Sequence, residues 1–209
     1  GGFLSLPVDH YVLNVMLYHG QVHNTVPYLC YSNPNSEDSD IRGHLNTPLI
    51  TVGTDPTPGY YRYVKSALKW QYKYKVLGFG DVWNGGDMGG QPGGGKKIIY
   101  LQEYLKTLKS KYIIFTDCYD VVVAAGLDEV MEKYHKHFND EVVFGAEIYC
   151  WPDKSLATEY PSNTSSRFKY LNSGLFMGPT KKILKIIEDT IAPSEDDQLY
   201  YTKKFLEEG

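Results

Sequence analysis

Apolar residues come in short blocks along this chain, and from residue 47 onwards the blocks alternate between two spacings. Residues 49–52 (Leu-Ile-Thr-Val) and 112–116 (Tyr-Ile-Ile-Phe-Thr) are short runs rich in β-branched and aromatic side chains. Such runs predict strands buried on both faces. Residues 74–77 predict another strand. Between the first two strands, Tyr60, Tyr63, Val64, Ala67 and Leu68 recur at helical spacing, with Pro58 placed near the helix start. Ile98, Leu101, Leu105 and Leu108 form the buried stripe of a helix over about 96–108. A second apolar run, 121–125, follows residue 116 closely. Leu127, Val130, Met131, Tyr134 and Phe138 then predict a helix over about 127–138, and 141–147 a further strand. Residues 168–178 read as two strands joined by a tight Asn172-Ser173-Gly174 turn. A helix is predicted at 181–187, and a last one opens at Ser194 with Glu195, Asp196 and Asp197 in its first turn, where the helix dipole favours acids. The order strand, loop, helix, strand is the opening of a nucleotide-binding α/β fold.

Residues 1–46 do not follow this rhythm. Segments 10–18 and 26–31 are strand-like, and 33–40 (Asn-Pro-Asn-Ser-Glu-Asp-Ser-Asp) is a polar turn or linker. His10, His19, His23 and His44 share no metal-ligand spacing and read as ordinary surface or core histidines. The chain thus divides into an N-terminal segment of unassigned role, 1–46, and an α/β domain, 47–209.

Composition narrows the function classes. A chain of 209 residues is long enough for one good-sized domain. A formal net charge of −4, spread along the chain, argues against nucleic-acid binding through a basic patch. No stretch approaches the roughly 20 apolar residues of a membrane span. The first residues lack the basic start and apolar block of a signal peptide. Cys30, Cys118 and Cys150 fit neither a disulfide framework nor a zinc site and read as small buried hydrophobes. The 19 tyrosines suit stacking on sugars or bases as well as an ordinary core rim.

The chemistry concentrates after the central strand. Asp117 falls where that strand ends, and Asp120 follows at Asp-x-x-Asp spacing. In open α/β sheets ligands bind outside the carboxyl ends of the strands. Two hard anionic oxygens there attract Mg²⁺ or Mn²⁺ and the phosphates such an ion carries. The plain alternative is a solvated turn with two acids. Thr54 and Asp55, in the first loop, are placed to meet a base or ribose. The glycine-rich loop 78–95 carries one aromatic anchor, Trp83, and leads into Lys96-Lys97 at a helix start, where phosphate can bind. It lacks the Gly-Lys-Ser/Thr ending of a P-loop. Glu147 ends the strand at 141–147, which places Trp151 on the same sheet edge as Asp117. Asn163-Thr-Ser165 fits the N-glycosylation pattern.

Several motifs in fixed order resemble the glycosyltransferase domain of the multifunctional procollagen lysyl hydroxylases. They are Thr51-Val-Gly-Thr-x5-Tyr60, Leu77-Gly-Phe-Gly-x-x-Trp83-x-Gly-Gly-Asp87, Gly93-Gly-Gly-Lys-Lys97, Phe115-Thr-Asp-Cys-Tyr-Asp-Val121, Ala146-Glu-x-x-Cys-Trp-Pro152, Arg167-Phe-x-x-Leu-Asn-Ser-Gly174 and Asp196-Asp-Gln-Leu-x-Tyr-Thr202. The resemblance spans most of the chain. It implies a GT-A-type, Rossmann-like nucleotide-sugar-binding domain with a mostly parallel sheet. It also implies Mn²⁺-dependent transfer of a hexose from a UDP-sugar, UDP-glucose or UDP-galactose, to galactosyl-hydroxylysine in collagen-like sequences, with retention at the anomeric carbon. By motif position, Asp117 and Asp120 resemble the acids that hold Mn²⁺ and the diphosphate, and Trp83 the aromatic over the nucleotide. Thr54 lies in the loop that meets uridine, and Lys97 matches a lysine beside the donor. Glu147, Trp151 and Asn172 match residues of the sugar and acceptor pocket, and Asp196 and Asp197 an acidic cluster flanking the reacting sugar.

The family's acidic run before Asp-Gln-Leu is longer than Glu195-Asp196-Asp197. Its third metal ligand is a histidine from a segment beyond the position of Gly209, so the domain is expected to continue past the end of this chain. The setting implied is the endoplasmic reticulum lumen or secretory pathway, without a membrane span; monomer and oligomer are both compatible. The alternative reading is a non-catalytic module of the same fold that grips collagen-like chains. A phosphoryl- or nucleotidyl-transfer enzyme is disfavoured by the missing P-loop.

Overall fold

The computed structural model describes residues 15–17, 46–86, 93–162 and 166–208. The strand-like segment 26–31, the four N-terminal histidines, Cys30, Asp87 and the Asn163-Thr-Ser165 pattern lie outside those residues. Of the predicted strand at 10–18, Val15–Leu17 is described, as β1.

Five strands build the central sheet: β2 (Leu49–Val52), β3 (Tyr74–Leu77), β4 (Tyr112–Thr116), β6 (Val143–Glu147) and β7 (Tyr170–Pro179). Their spatial order is β3-β2-β4-β7-β6. Strand β2 is parallel to both β3 and β4, whereas β7 is antiparallel to β4 and to β6. Strand β6 therefore runs with β4, and the carboxyl ends of four strands share one edge. This is the α/β arrangement expected of a GT-A-type domain, with one reversed strand inside the sheet.

Period-two alternation sends neighbouring residues to opposite faces. Leu49, Tyr112, Ile114 and Met177 face a layer made by α1 (Pro58–Lys69) and α3 (Leu127–Phe138), whose Tyr63, Ala67, Met131 and Tyr134 are buried there. Ile50, Ile113, Phe115 and Phe176 face α2 (Gly95–Leu105), α4 (Thr180–Ile186) and α5 (Asp197–Glu208), which supply Ile98, Leu101, Ile183 and Tyr201. Helices on both faces explain why every residue of β4 is buried. The α1 start is set by its sequence: Pro58 occupies the first turn and the Thr57 hydroxyl accepts the Tyr60 N–H at 3.2 Å. Leu68 lies off the buried stripe, 57% exposed.

Three expectations need correction. The run at 121–125 is not a strand buried on both faces. Its strand, β5 (Val121–Val123), pairs antiparallel with β1, and Val122 is partly exposed. The Asn172-Ser173-Gly174 turn does not form; β7 runs straight through it. Between the pairs Phe144/Phe176 and Gly145/Asn172, residues Ser173, Gly174 and Leu175 have no counterpart on β6, and the side chain of Asn172 accepts the Gly174 N–H at 3.0 Å. A β-bulge thus takes up Ser173, Gly174 and Leu175, the first two of which looked like part of a turn. Finally, α5 begins at Asp197, so Glu195 and Asp196 precede its first turn; Asp196 acts as its cap, accepting the Leu199 N–H at 2.7 Å.

The 117–120 turn is seated on the start of α1. A Cβ placed on Gly59 would come within 2.1 Å of the Tyr119 carbonyl oxygen. In an open helix Gly→Ala stabilises by about 1 kcal/mol. Here the methyl meets backbone, and overpacking reverses the sign. Gly59→Ala is expected to cost about 1–3 kcal/mol in a urea titration; a stabilised variant would show that the turn yields freely.

Candidate functional site

The site lies on the shared carboxyl edge, and a single ammonium organises it. Lys97, in the first turn of α2, sends its Nζ to 3.0 Å from Asp117 Oδ1 and 2.7 Å from Asp197 Oδ2. The lysine and Asp197 side chains are each 7% exposed, Asp117 28%. Asp117 sits directly after β4, and its backbone N–H is held by the Gly174 carbonyl at 2.8 Å. Asp197 opens α5 and also accepts from the Ser173 hydroxyl at 3.1 Å. Burial disfavours charge on Lys97, but the carboxylates of Asp117 and Asp197 more than offset this and its pKa rises above the usual lysine range. Burial also raises the Asp197 carboxyl, with Lys97 only partly opposing it and Asp117 adding to it. Both directions have one physical source. Two carboxylates share one ammonium, so the lysine stays charged and the set keeps an excess of negative charge.

Space around this triad is tight. Gly94 adopts φ +103°, and a Cβ there would lie 2.4 Å from Asp197 Oδ1 and 3.0 Å from Lys97 Cε. A Cβ on Gly174 would lie 2.9 Å from Asp117 Oδ2. Both glycines leave the carboxylates accessible to the lysine.

A second set of contacts leads away from Asp197. The Gln198 amide accepts the Ser173 N–H at 3.2 Å and donates to Glu147 Oε1 and to the Trp151 carbonyl oxygen. Gln198 thereby ties α5 and the β7 bulge to the end of β6. Trp151 is 43% exposed, and the neighbouring Tyr149 is exposed as well. The structure thus links Lys97, Asp117, Asp197, Glu147 and Trp151 through one network, with Asn172 at the base of the bulge. Asp196 plays a different part. Its two oxygens are taken by backbone N–H groups, those of Leu199 and, at 3.4 Å, Gly93.

Thr54 follows β2, next to β4 in the sheet. Its backbone N–H and that of Asp55 both donate to the Tyr119 hydroxyl, at 2.8 and 2.9 Å, and its own hydroxyl donates to Asp55 at 2.7 Å. Trp83 lies in the glycine-rich loop, half-buried against the α2 side of the core, and donates its indole N–H to the Gly86 carbonyl at 2.8 Å. Asp120 lies on the same short turn as Asp117, partly buried. Tyr119, Ser173 and Gln198 were not singled out from sequence. Two of them adjoin chosen acids, Tyr119 inside the Asp-x-x-Asp spacing and Gln198 directly after Asp197, so adjacency was the available signal.

Among the described residues no three of His, Cys, Asp or Glu are grouped to cage a metal ion. What is present, two carboxylates on one turn after a buried strand, is a hard-oxygen donor pair. Such pairs hold Mg²⁺ or Mn²⁺ jointly with substrate phosphates rather than alone.

An α/β domain with this strand order, and with acids gathered on the carboxyl edge of its central strand, is of the GT-A glycosyltransferase class. Residues 44–209 match the family described as PLOD GT domain, and the chain belongs to that family. It is 44% identical over 174 residues to procollagen-lysine,2-oxoglutarate 5-dioxygenase of Drosophila melanogaster, covering 82% of this chain and 24% of that protein. It is 41% identical over 165 residues to the multifunctional procollagen lysine hydroxylase and glycosyltransferase of Caenorhabditis elegans, covering 77% and 22%. It is 38% identical over 173 residues to uncharacterized protein R699 of Acanthamoeba polyphaga mimivirus, covering 82% and 38%. The chain thus spans about a quarter of the length of the two animal relatives. No helix among the described residues is long and apolar enough to cross a membrane.

Cys118, between the two acids in sequence, faces inward. It is 2% exposed, and a Cβ on Gly53 would stand 2.9 Å from its sulfur. Burial pushes its thiol up to about 11. The thiolate is the reactive form, so Cys118 is expected to resist iodoacetamide at pH 8 in the native protein and to react in urea, as read by peptide mass mapping. Native-state labelling at a rate matching that in urea would contradict this burial.

Proposed function

We propose that this domain is a UDP-sugar-dependent hexosyltransferase that adds glucose to galactosyl-hydroxylysine in collagen-like sequences, with Mn²⁺ as its ion. The observation that carries the reading is the triad of Asp117, Lys97 and Asp197 on the carboxyl edge of β4: an anion-rich cluster around one lysine, suited to a metal-bound diphosphate. Membership of a glycosyltransferase-domain family supports the reaction class. A secretory-pathway setting belongs with the same reading.

In this mechanism Asp117 and Asp120 would hold the ion, which would supply positive charge to the diphosphate leaving group. Lys97 adds a second positive charge beside the phosphates. The Thr54–Asp55 segment, fixed by the Tyr119 hydroxyl, meets the uridine, and Trp83 supplies an aromatic wall above it. Glu147 and Trp151, held by Gln198, form the acceptor side together with Asn172. Asp197 is the carboxylate beside the reacting sugar, where positive charge develops at the anomeric carbon. Asp196 supports it by capping α5 rather than by facing the sugar. Retention is compatible with a front-face route or with a carboxylate nucleophile.

The test is UDP release and acceptor glycosylation by the purified protein with UDP-glucose, Mn²⁺ and a galactosyl-hydroxylysyl peptide. Asp117→Ala and Asp120→Ala are expected to lower transfer on the order of 100-fold or more, with circular dichroism unchanged. Transfer at the parental rate by either variant would remove the assignment. A wild-type protein that binds the peptide yet releases no UDP with any UDP-hexose is instead a collagen-binding module.

A further inference from the structure

Lys97 already holds one oxygen of Asp117, a carboxylate that would ligate a divalent cation. Its Nζ lies 3.0 Å from Asp117 Oδ1, the carboxylate at the end of β4, and is itself almost fully enclosed. We infer that Lys97 is a built-in stand-in cation, which keeps bare metal off Asp117 and makes the site select a metal already carried by a diphosphate. The inference rests on the metal and UDP-sugar reading above and deepens it.

The argument is one of charge and of partners. A bare ion approaching Asp117 meets an oxygen already paired and a positive charge a few ångströms away. Two positive charges at such range repel in a partly buried setting, where water screens them poorly. An ion arriving with a diphosphate brings negative charge that Lys97 can pair with, so the repulsion becomes attraction. The lysine has no unpaired state to pass through. When Nζ leaves Asp117 it keeps Asp197, 2.7 Å away, which Ser173 holds in place. A buried ammonium with one partner would be costly to move, whereas one with two can exchange one of them. The backbone is shaped to allow this. Gly94 in its left-handed conformation leaves space beside Lys97 Cε that a side chain would fill.

The coupling is measurable without catalysis. Mn²⁺ binding is followed by the loss of the free-ion electron paramagnetic resonance signal, with and without UDP. Wild type is expected to bind Mn²⁺ weakly alone and at least about tenfold more tightly with UDP, within the usual range for coupled sites. Lys97→Met is expected to bind Mn²⁺ alone about tenfold more tightly than wild type, and to lose most of the UDP dependence. Lys97→Arg keeps the charge and should behave as wild type. Lys106→Met removes an equal charge from the exposed far end of α2 and should change nothing. If Lys97→Met binds Mn²⁺ no more tightly than wild type, while wild type with UDP does bind it, the stand-in role is overturned and the metal reading survives. If wild type binds no Mn²⁺ even with UDP, both fall. Should Lys97→Met fail to fold by circular dichroism, Asp197→Asn takes its place: it leaves Asp117 as the lysine's one remaining carboxylate here and should weaken Mn²⁺ binding alone, and unchanged or tighter binding overturns the inference.

Discussion

One buried ammonium shared by two carboxylates fixes the geometry of this domain's working edge. Lys97 comes from α2, Asp117 from the end of β4, and Asp197 from the start of α5. Helix α2 and strand β4 follow one another in the chain while α5 comes at its far end, and the ion pairs fasten all three at one point. The sheet provides the platform. With apolar layers on both faces, β4 has no freedom to slide, and a one-residue slip would move every side chain to the wrong face. The position of Asp117 is therefore set by the packing of Ile113, Ile114 and Phe115 rather than by the turn that carries it.

The reversed strand β7 matters as much as the parallel ones. It runs between β4 and β6 and brings residues 172–174 back to the edge where Asp117 sits. Its bulge aims the Ser173 hydroxyl at Asp197 and the Ser173 N–H at Gln198. A regular ladder would place no residue in that interval and could not supply both contacts. The irregularity thus joins the two halves of the site, the acids beside β4 and the Glu147–Trp151 lip beyond β6.

Much of this was legible in the sequence, for reasons that differ by element. Strand β4 and the role of its end were readable because five consecutive buried residues admit few other structures, and ligands gather where such strands stop. Helix α3 was readable from its stripe to its bounds. The turn at Asn172-Ser173-Gly174 was misread because those residues favour turns on local grounds, and the register of a partner strand overrides local preference. The first turn of α5 was misplaced because Asp196 and Asp197 look alike in sequence. One caps the helix through its backbone contacts and the other pairs with a lysine, a difference set by neighbours far along the chain. For the same reason Lys97 was expected to meet phosphate, while its two carboxylate partners could not be read from spacing.

The glycine-rich segment has its own consequence. Gly86 and Gly93 pair with each other, the Gly94 N–H is held by the Gly85 carbonyl, and Asp197 donates its backbone N–H to Gly93. Gly86 and Gly93 are therefore held side by side in a clasp that is anchored on the start of α5. Closing a longer stretch across a fixed clasp costs only about 0.6 kcal/mol per doubling of its length. A change in chain length between the paired glycines therefore leaves the clasp, and the start of α5 fastened to it, almost unaffected in free energy.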